Sequence, residues 1–349
     1  IARELGRISS HPFVAPPAGE TKESTLFGED EKVSLAKIFA LLRVKTHVNF
    51  FQYKSATLKR RIARRMVLHK MESLTLYVEH LQASPAEMEL LFRDLLINVT
   101  DFFRDSHTFD YLKKQIFPLL LKDRPKDEPI RVWSAGCSTG EEAYSLAMSL
   151  AEYRESSKQN FDIQIFGSDL SETSIEKARA GIYPSSIATD VSPERLKRFF
   201  TKQNGNYQIS RTIRDMCVFA KQDLLSDPPF SQLDLITCRN VLIYLEPTAQ
   251  KRILPIFHYA LKSSGYLCLG KSEGIGEHTD LFATKEKEHR VYAKKAGGSR
   301  RGFVFPGVDT QDAQGSNART PLRHISIARH EPPDRTRERE LSKDVDRLL

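Results

Sequence analysis

Apolar positions recur along this chain in two rhythms. Over Val33–Val44, Thr57–Lys70, Ser73–Gln82 and Pro85–Leu96 they return every three or four residues, the spacing of amphipathic helices. Ser84 before Pro85 suits an N-cap followed by proline at the first helical position. From Ile130 the pattern changes to short apolar runs separated by helical stretches. Ile130–Ser134, Ile163–Gly167, Cys217–Lys221, Leu233–Cys238, Gly265–Gly270 and Arg290–Ala293 read as strands, and Glu141–Tyr153, Ser174–Ala180 and Pro247–Leu261 as helices. Such alternation predicts an α/β fold, a mostly parallel sheet with helices on both faces. The stretch Arg195–Asp215 breaks it. There Gln203-Asn-Gly205-Asn, followed by Tyr207-Gln-Ile209, predicts a small hairpin inserted in the sheet domain.

The expected division follows. Residues 1–30 are a tail, interrupted by Pro12, Pro16, Pro17 and Gly19. Residues 31–115 form a helical domain, and 116–296 a sheet domain with its β-subdomain at about 195–215. Residues 297–349 are a charged, core-poor linker expected to be disordered. No apolar run approaches the ~18 residues that span a bilayer. No secretory pattern appears, and the first residue is Ile1, so the reading is a cytoplasmic protein or a fragment of a longer chain. Cys137, Cys217, Cys238 and Cys268 lie too far apart for a zinc knuckle or a disulfide framework, so reduced thiols and no metal are expected.

Charge sharpens the helical half. The formal net charge is +8, yet it is local. Between Lys32 and Met71 stand eleven Lys and Arg and no acid; the rest of the chain holds 42 basic and 45 acidic residues. Local basicity implies a face for an acidic partner. Within Lys59-Arg60-Arg61-Ile-Ala-Arg64-Arg65, helical geometry puts Arg60, Arg61, Arg64 and Arg65 on one side and Leu58, Ile62 and Met66 on another. The bland alternatives are a solvated face or a nucleic-acid patch, but the strip lacks the interleaved aromatics that stack on bases.

The chemistry is concentrated in Ile130-Arg-Val-Trp-Ser-Ala-Gly136-Cys-Ser-Thr-Gly140-Glu-Glu142, a strand, a small-residue loop and a helix start. The loop is neither GxGxxG nor a P-loop. Glu141 and Glu142 suit the helix dipole but would repel a pyrophosphate; they suit a cationic ligand such as S-adenosylmethionine. Asp169, closing the second strand, can accept both ribose hydroxyls, the alternative being an N-cap, for which Ser171 competes. Asn98-Val-Thr100 matches a glycosylation pattern that the missing secretory signal disfavours. Arg104, behind Phe102 and Phe103, reads either as a surface charge or as a fixed cation in a cleft. Leu233–Tyr244 is a buried strand whose polar end, Arg239 and Asn240, would face the ligand crevice of an open sheet.

Together these segments closely resemble the CheR-type chemoreceptor glutamate methyltransferases, over roughly residues 31–295. The carriers are Asn98-Val-Thr-Asp-Phe-Phe-Arg-Asp105, Val132-Trp-Ser-Ala-Gly-Cys-Ser-Thr-Gly-Glu-Glu142, Ser168-Asp169 and Cys238-Arg-Asn-Val-Leu-Ile-Tyr244. The first thirty residues resemble the end of a CheB-type methylesterase domain, which implies a piece of a methylesterase–methyltransferase fusion with further domains as partners. The resemblance implies a Rossmann-like class I sheet, an all-α N-terminal domain and a small inserted antiparallel β-subdomain. It implies S-adenosylmethionine as cofactor, S-adenosylhomocysteine as product, and cofactor contacts at Asn98, Thr100, Arg104, Glu142, Asp169, Asp223, Leu224, Arg239 and Asn240. Asp223 is a departure, since Asn is expected there.

The same resemblance implies a chemoreceptor helical bundle as partner, met by Lys59, Arg60, Arg61, Arg64 and Arg65. It implies no nucleic acid and no membrane insertion. The short Asn204-Gly205-Asn206 loop points to an enzyme that needs no receptor pentapeptide. A substrate glutamate is ionised at neutral pH, its reference pKa being about 4.3, so no general base is required. Arg104 is the candidate for holding the cofactor or the incoming carboxylate and Tyr244 for bordering the methyl group. The competing readings are a non-catalytic cofactor sensor and a methyltransferase acting on nucleic acid.

Overall fold

A computed structural model describes residues 29–125 and 127–297. The expected tail and methylesterase-like start, up to residue 28, and the charged linker from 298 onward lie outside the described residues. The helical half consists of α1 (Glu29–Thr46), α2 (Ser55–Leu68), α3 (Leu74–Ala83) and α4 (Pro85–Leu95). Ser73 and Ser84 cap α3 and α4 by accepting the backbone N–H of Thr75 and of Glu87, and Pro85 sits in the first turn of α4, as its sequence predicts. Ile38, Leu42, Leu58, Ile62, Met66, Tyr77 and Leu91 make their common core.

The cationic side of α2 is not one open face. Arg65 donates Nε–H to Glu87 Oε1 at 2.9 Å and pairs through Nη2 with Oε2 of the same buried carboxylate. Tyr77 donates its hydroxyl to Oε1 (2.7 Å), and His69 Nε2 lies 2.7 Å from Oε2. Arg61 donates Nη1–H to the Asp94 carbonyl at the end of α4. Arg61 and Arg65, expected on a partner face, thus also hold the helices of this domain together. They are drawn to acceptors on α4, which charge counting along one helix could not reveal. Arg60 and Arg64 remain exposed.

After α4 an extended strap leads to α5 (Ser106–Tyr111), a π-helical turn over Leu112–Ile116, and α6 (Phe117–Leu121). Phe109, Ile116 and Phe117 pack with Ile130, Val132 and Leu146. Residues 106–121 thus pack with the sheet core; helical periodicity does not say which core a helix joins.

The sheet domain is built from β1 (Ile130–Ala135), α7 (Glu141–Ser157), β2 (Ile163–Asp169), α8 (Glu172–Ala180), β3 (Ile182–Tyr183), α9 (Pro193–Phe199), β4 (Phe200–Gln203), β5 (Asn206–Ile209), α10 (Arg211–Arg214), β6 (Cys217–Lys221), β7 (Leu233–Cys238), α11 (Pro247–Ala260), β8 (Leu261–Leu269), β9 (Phe282–Glu286) and β10 (Val291–Lys294). The large sheet runs β6-β2-β1-β7-β8-β10-β9. Its first five strands are parallel, and β10 is antiparallel to both neighbours. The chain leaves β1 towards β2 on one side and returns to β7 on the other. The crevice at the carboxyl ends of β1 and β7 is thus the switch point where open α/β sheets bind ligands. The β-subdomain is a second sheet, β3-β5-β4, whose hairpin turns at Asn204 and Gly205, both with positive φ. Its third strand, β3, has two residues and lies before the expected 195–215 span. Strand β9 was also not expected; its five residues bury only Phe282.

Among the described residues two backbone hydrogen bonds join the halves. Lys54 N–H donates to the Tyr244 carbonyl (2.8 Å) and Glu246 N–H to that of Gln52 (2.9 Å), and together they make Tyr53 and Leu245 an antiparallel bridge. Cys137, Cys238 and Cys268 are buried free thiols and Cys217 is a half-buried one. No described helix is long and apolar enough to cross a membrane.

Removing Glu87 leaves Arg65 buried without its main partner. Glu87→Ala is expected to lower unfolding free energy by about 3–5 kcal/mol, read from urea denaturation; a change under about 1 kcal/mol would show the ion-pair cluster to be dispensable.

Candidate functional site

At the switch point the chain makes a tight loop from Gly136 to Gly140. Gly136 (φ +72°) can only be glycine, because a Cβ there would stand 2.4 Å from Val241 Cγ2 in the loop after β7. The loop leans on β2: Gly136 and Cys137 both donate N–H to the Ser168 carbonyl. Ser138 N–H donates to Asp169 Oδ2 (2.8 Å), and Ser171 N–H to Oδ1 (2.9 Å). Burial raises the Asp169 carboxyl above its usual range, opposed by those backbone donors. Ser171 accepts the Ser174 N–H (3.2 Å) and caps α8, which removes the capping alternative for Asp169.

Glu141 and Glu142, one residue apart on a helix, point different ways. Glu142 Oε1 accepts the hydroxyls of Thr237 (2.6 Å) and Ser134 (3.1 Å), and Oε2 faces Arg239 Nη1 at 3.3 Å. Glu141 turns to Thr139 and does not line the cavity below. Its carboxyl is pushed up to about 7, chiefly by burial, with Asp101 adding and Thr139 opposing.

Arg239 is buried and links the end of β7 to two other segments. It donates to Glu142, to the Arg104 carbonyl (2.8 Å) and to Asp105 Oδ2 (2.7 Å). Lys271 Nζ holds the other oxygen of Asp105 at 2.8 Å. Arg104 is thereby fixed between Phe103 (φ 51°) and Asp105 (φ 58°), two non-glycine residues in the left-handed region. Its Nη1–H donates to the Val99 carbonyl (3.2 Å). Asn240, also left-handed (φ 60°), is held from below by Glu273. That buried carboxylate accepts backbone N–H from Gly270 (2.6 Å), Asn240 (3.0 Å), Val241 (2.8 Å) and Ile243 (3.3 Å). Asp223 accepts the Leu225 N–H at 2.9 Å in a local turn, a role Asn would fill equally, so the departure leaves the backbone unchanged.

Asn98, Thr100, Arg104, Glu142, Asp169, Asp223, Leu224, Arg239, Asn240 and Tyr244 all line one cavity. None of Lys59, Arg60, Arg61, Arg64 and Arg65 does. Sequence reasoning missed Tyr53, Lys54 and Thr57, which close the cavity from the helical half, and Ser138 and Gln222, which line it from the sheet. The Tyr53 phenol is raised by burial and by Asp223 and Asp169. Glu273 was missed as well, although an acid three residues after Gly270 at a strand end was the available signal. His69, His80 and Glu87 bring ligand-type atoms within 4.8 Å of one another, but Arg65 and Tyr77 already hold Glu87.

The family model for the all-alpha domain of CheR methyltransferases matches residues 34–96, and that for their SAM binding domain matches 98–291. The chain belongs to the CheR methyltransferase family. It is 32% identical over 258 residues to a chemotaxis protein methyltransferase of Borreliella burgdorferi, covering 72% of this chain and 91% of that one. It is 33% identical over 228 residues to chemotaxis protein methyltransferase 1 of Pseudomonas aeruginosa, covering 64% and 83%. An uncharacterized 104.1 kDa protein of Rhodobacter capsulatus is 42% identical over 265 residues; these are 76% of this chain but 28% of that relative. This CheR-type chain is a methyltransferase that uses S-adenosylmethionine, on the class I fold its sequence predicts.

The site fits that cofactor. Asp169 offers a carboxylate at the end of β2 and Glu142 a negative charge beside the loop. Asn240 Oδ1, Ser138 Oγ and Gln222 Oε1 are buried without a hydrogen-bond partner around the same cavity.

Because Glu141 binds its proton more tightly folded than unfolded, it supports stability below about pH 4.5, and that support is lost as pH rises through about 7. Glu141→Gln is expected to flatten this fall and to gain up to about 3 kcal/mol over the parent at pH 8. Urea denaturation at pH 5 and pH 8 measures it; parallel slopes for the two proteins would remove Glu141 as the cause.

Proposed function

We propose that the protein transfers the cofactor's methyl group to glutamate γ-carboxylates of a chemoreceptor's cytoplasmic helical bundle, in the cytoplasm. The observation that carries this reading is the cavity itself. It unites a carboxylate-lined floor at β1 and β2 with a cationic side chain, Arg104, and a phenol, Tyr244, and no histidine lines it. S-adenosylmethionine, when bound, supplies an electrophilic methyl on a sulfonium.

On this reading Asp169 receives the ribose hydroxyls, while Asp223 and Leu224 border the adenine. Asn98, Thr100, Glu142, Arg239 and Asn240 complete the cofactor wall. Arg104 orients the incoming carboxylate; among the described residues its guanidinium makes one hydrogen bond, to the Val99 carbonyl, which leaves the rest of its fork for two parallel N–H···O contacts. The acceptor arrives as an anion, so the protein need move no proton. Its task is to strip water from the carboxylate and hold it in line, with reacting atoms roughly 3–3.5 Å apart. Tyr244 borders the methyl group. Arg60 and Arg64, with Lys59, meet the acidic bundle. The two-residue turn at Asn204 and Gly205 supports an enzyme that does not depend on a receptor pentapeptide.

The test is transfer of radiolabelled methyl to chemoreceptor cytoplasmic fragments and, in parallel, to total RNA and DNA. Alkali-labile label on the fragments is expected. Label confined to nucleic acid would refute the acceptor, and no label anywhere would favour a sensor. Asp169→Ala is expected to abolish cofactor binding in calorimetry with the fold intact by circular dichroism; parental affinity would end the ribose assignment. Arg60→Glu with Arg64→Glu is expected to slow receptor methylation at least fivefold with cofactor affinity unchanged, and unaltered receptor kinetics would take the basic helix out of the interface.

A further inference from the structure

The small β3-β5-β4 sheet lies outside the cavity, yet it touches both halves of the site. Tyr183 of β3 is buried and donates its hydroxyl to the Thr139 carbonyl at 2.7 Å, inside the Gly136–Gly140 loop. The fit is close: a Cβ on Gly140 (φ +96°) would stand 3.2 Å from that hydroxyl and 2.9 Å from Ala178 Cβ. The other side of the same ring meets the strap. Phe102 packs edge-on against Tyr183, with centroids 4.8 Å apart, and against Phe200 of β4 at 5.6 Å.

Arg195 of α9 reaches the next residue. Its guanidinium carbon lies 3.9 Å from the centroid of the Phe103 ring. Glu152 of α7 fixes it there, accepting Nε–H at 2.7 Å and Nη2–H at 3.0 Å, while Lys113 holds the same carboxylate at 2.7 Å. These cations keep the Glu152 carboxyl down at about 2, so the clamp is charged throughout the physiological range. Phe103 N–H donates to the buried Ser145 hydroxyl at 3.0 Å. Phe102 and Phe103 lead into Arg104, and Phe103 itself has left-handed backbone. Whatever fixes these rings therefore aims Arg104.

We propose that the inserted subdomain, the small sheet together with α9, is a brace for methyl transfer: Tyr183 is a positioning residue for the cofactor loop, and Arg195 for the strap that carries Arg104. The part concerning Arg104 rests on its proposed role in holding the carboxylate. The brace separates two functions that ordinary packing would not. Loss of the Tyr183 hydroxyl loosens the loop and should weaken cofactor binding. Loss of the Arg195 clamp frees the strap and should slow turnover with the cofactor in place.

The full chain tests this with three variants. Tyr183→Phe keeps the ring and deletes one neutral hydrogen bond, so the calorimetric Kd for S-adenosylmethionine should rise about three- to tenfold. Its kcat with a chemoreceptor cytoplasmic fragment at saturating cofactor should change less than twofold. Arg195→Gln should leave that Kd within twofold, lower kcat about tenfold, and speed amide hydrogen exchange over residues 99–105. Arg195→Lys, which keeps the cation but not the double contact with Glu152, should fall between Arg195→Gln and the parent. Parental Kd in Tyr183→Phe, or parental kcat and exchange in Arg195→Gln, would overturn the brace. So would equal losses of Kd and kcat in both variants with a lowered melting temperature, the mark of general loosening. Arg104→Met at parental kcat would instead sink the carboxylate-holding role; the exchange readout, which needs no acceptor, would still judge the clamp.

Discussion

A guanidinium buried at the end of β7 must be paired with opposite charge, and the site is arranged around that requirement. Arg239 cannot shed its proton, and a buried charge is costly unless it is paired and hydrogen-bonded. Its partners are Glu142 at the start of α7 and Asp105 and the Arg104 carbonyl in the strap. One side chain thereby fastens three segments that are remote in sequence. It also explains how two residues in a left-handed conformation persist beside Arg104: the contacts on either side over-determine the backbone.

Buried carboxylates do for the loops what Arg239 does for the strap. Asp169 gathers backbone N–H groups from the glycine loop and from its own turn, and Glu273 gathers four from the turn that follows β7 and from Gly270. Each carboxylate is met by aligned backbone dipoles rather than by a cation, so each constrains the backbone that surrounds it. The helical domain uses the same logic with the opposite sign. Glu87 collects Arg65, Tyr77 and His69, and so consumes part of the basicity that the sequence displays along α2.

Residues that line the cavity were legible where they stand in short, ordered motifs at strand ends, where chemistry demands particular residue types. Residues that position those contacts were less legible. Glu273 and Tyr53 each act across a long sequence separation, and neither lies in a motif that announces a role. Arg61 and Arg65 show a second limit: periodicity placed them beside Arg60 and Arg64, but one helix has no way of saying which of its cations a neighbouring helix will engage.

Local pattern alone determined the strands of the parallel sheet, the caps of α3 and α4, the glycine loop and the acid at the end of β2, because backbone sterics and side-chain burial act within a few residues. The extent of each core, the role of the strap, and the split between Glu141 and Glu142 were decided only by tertiary structure. They depend on which distant group arrives to pair a buried charge, and that is a property of the fold rather than of any segment in it.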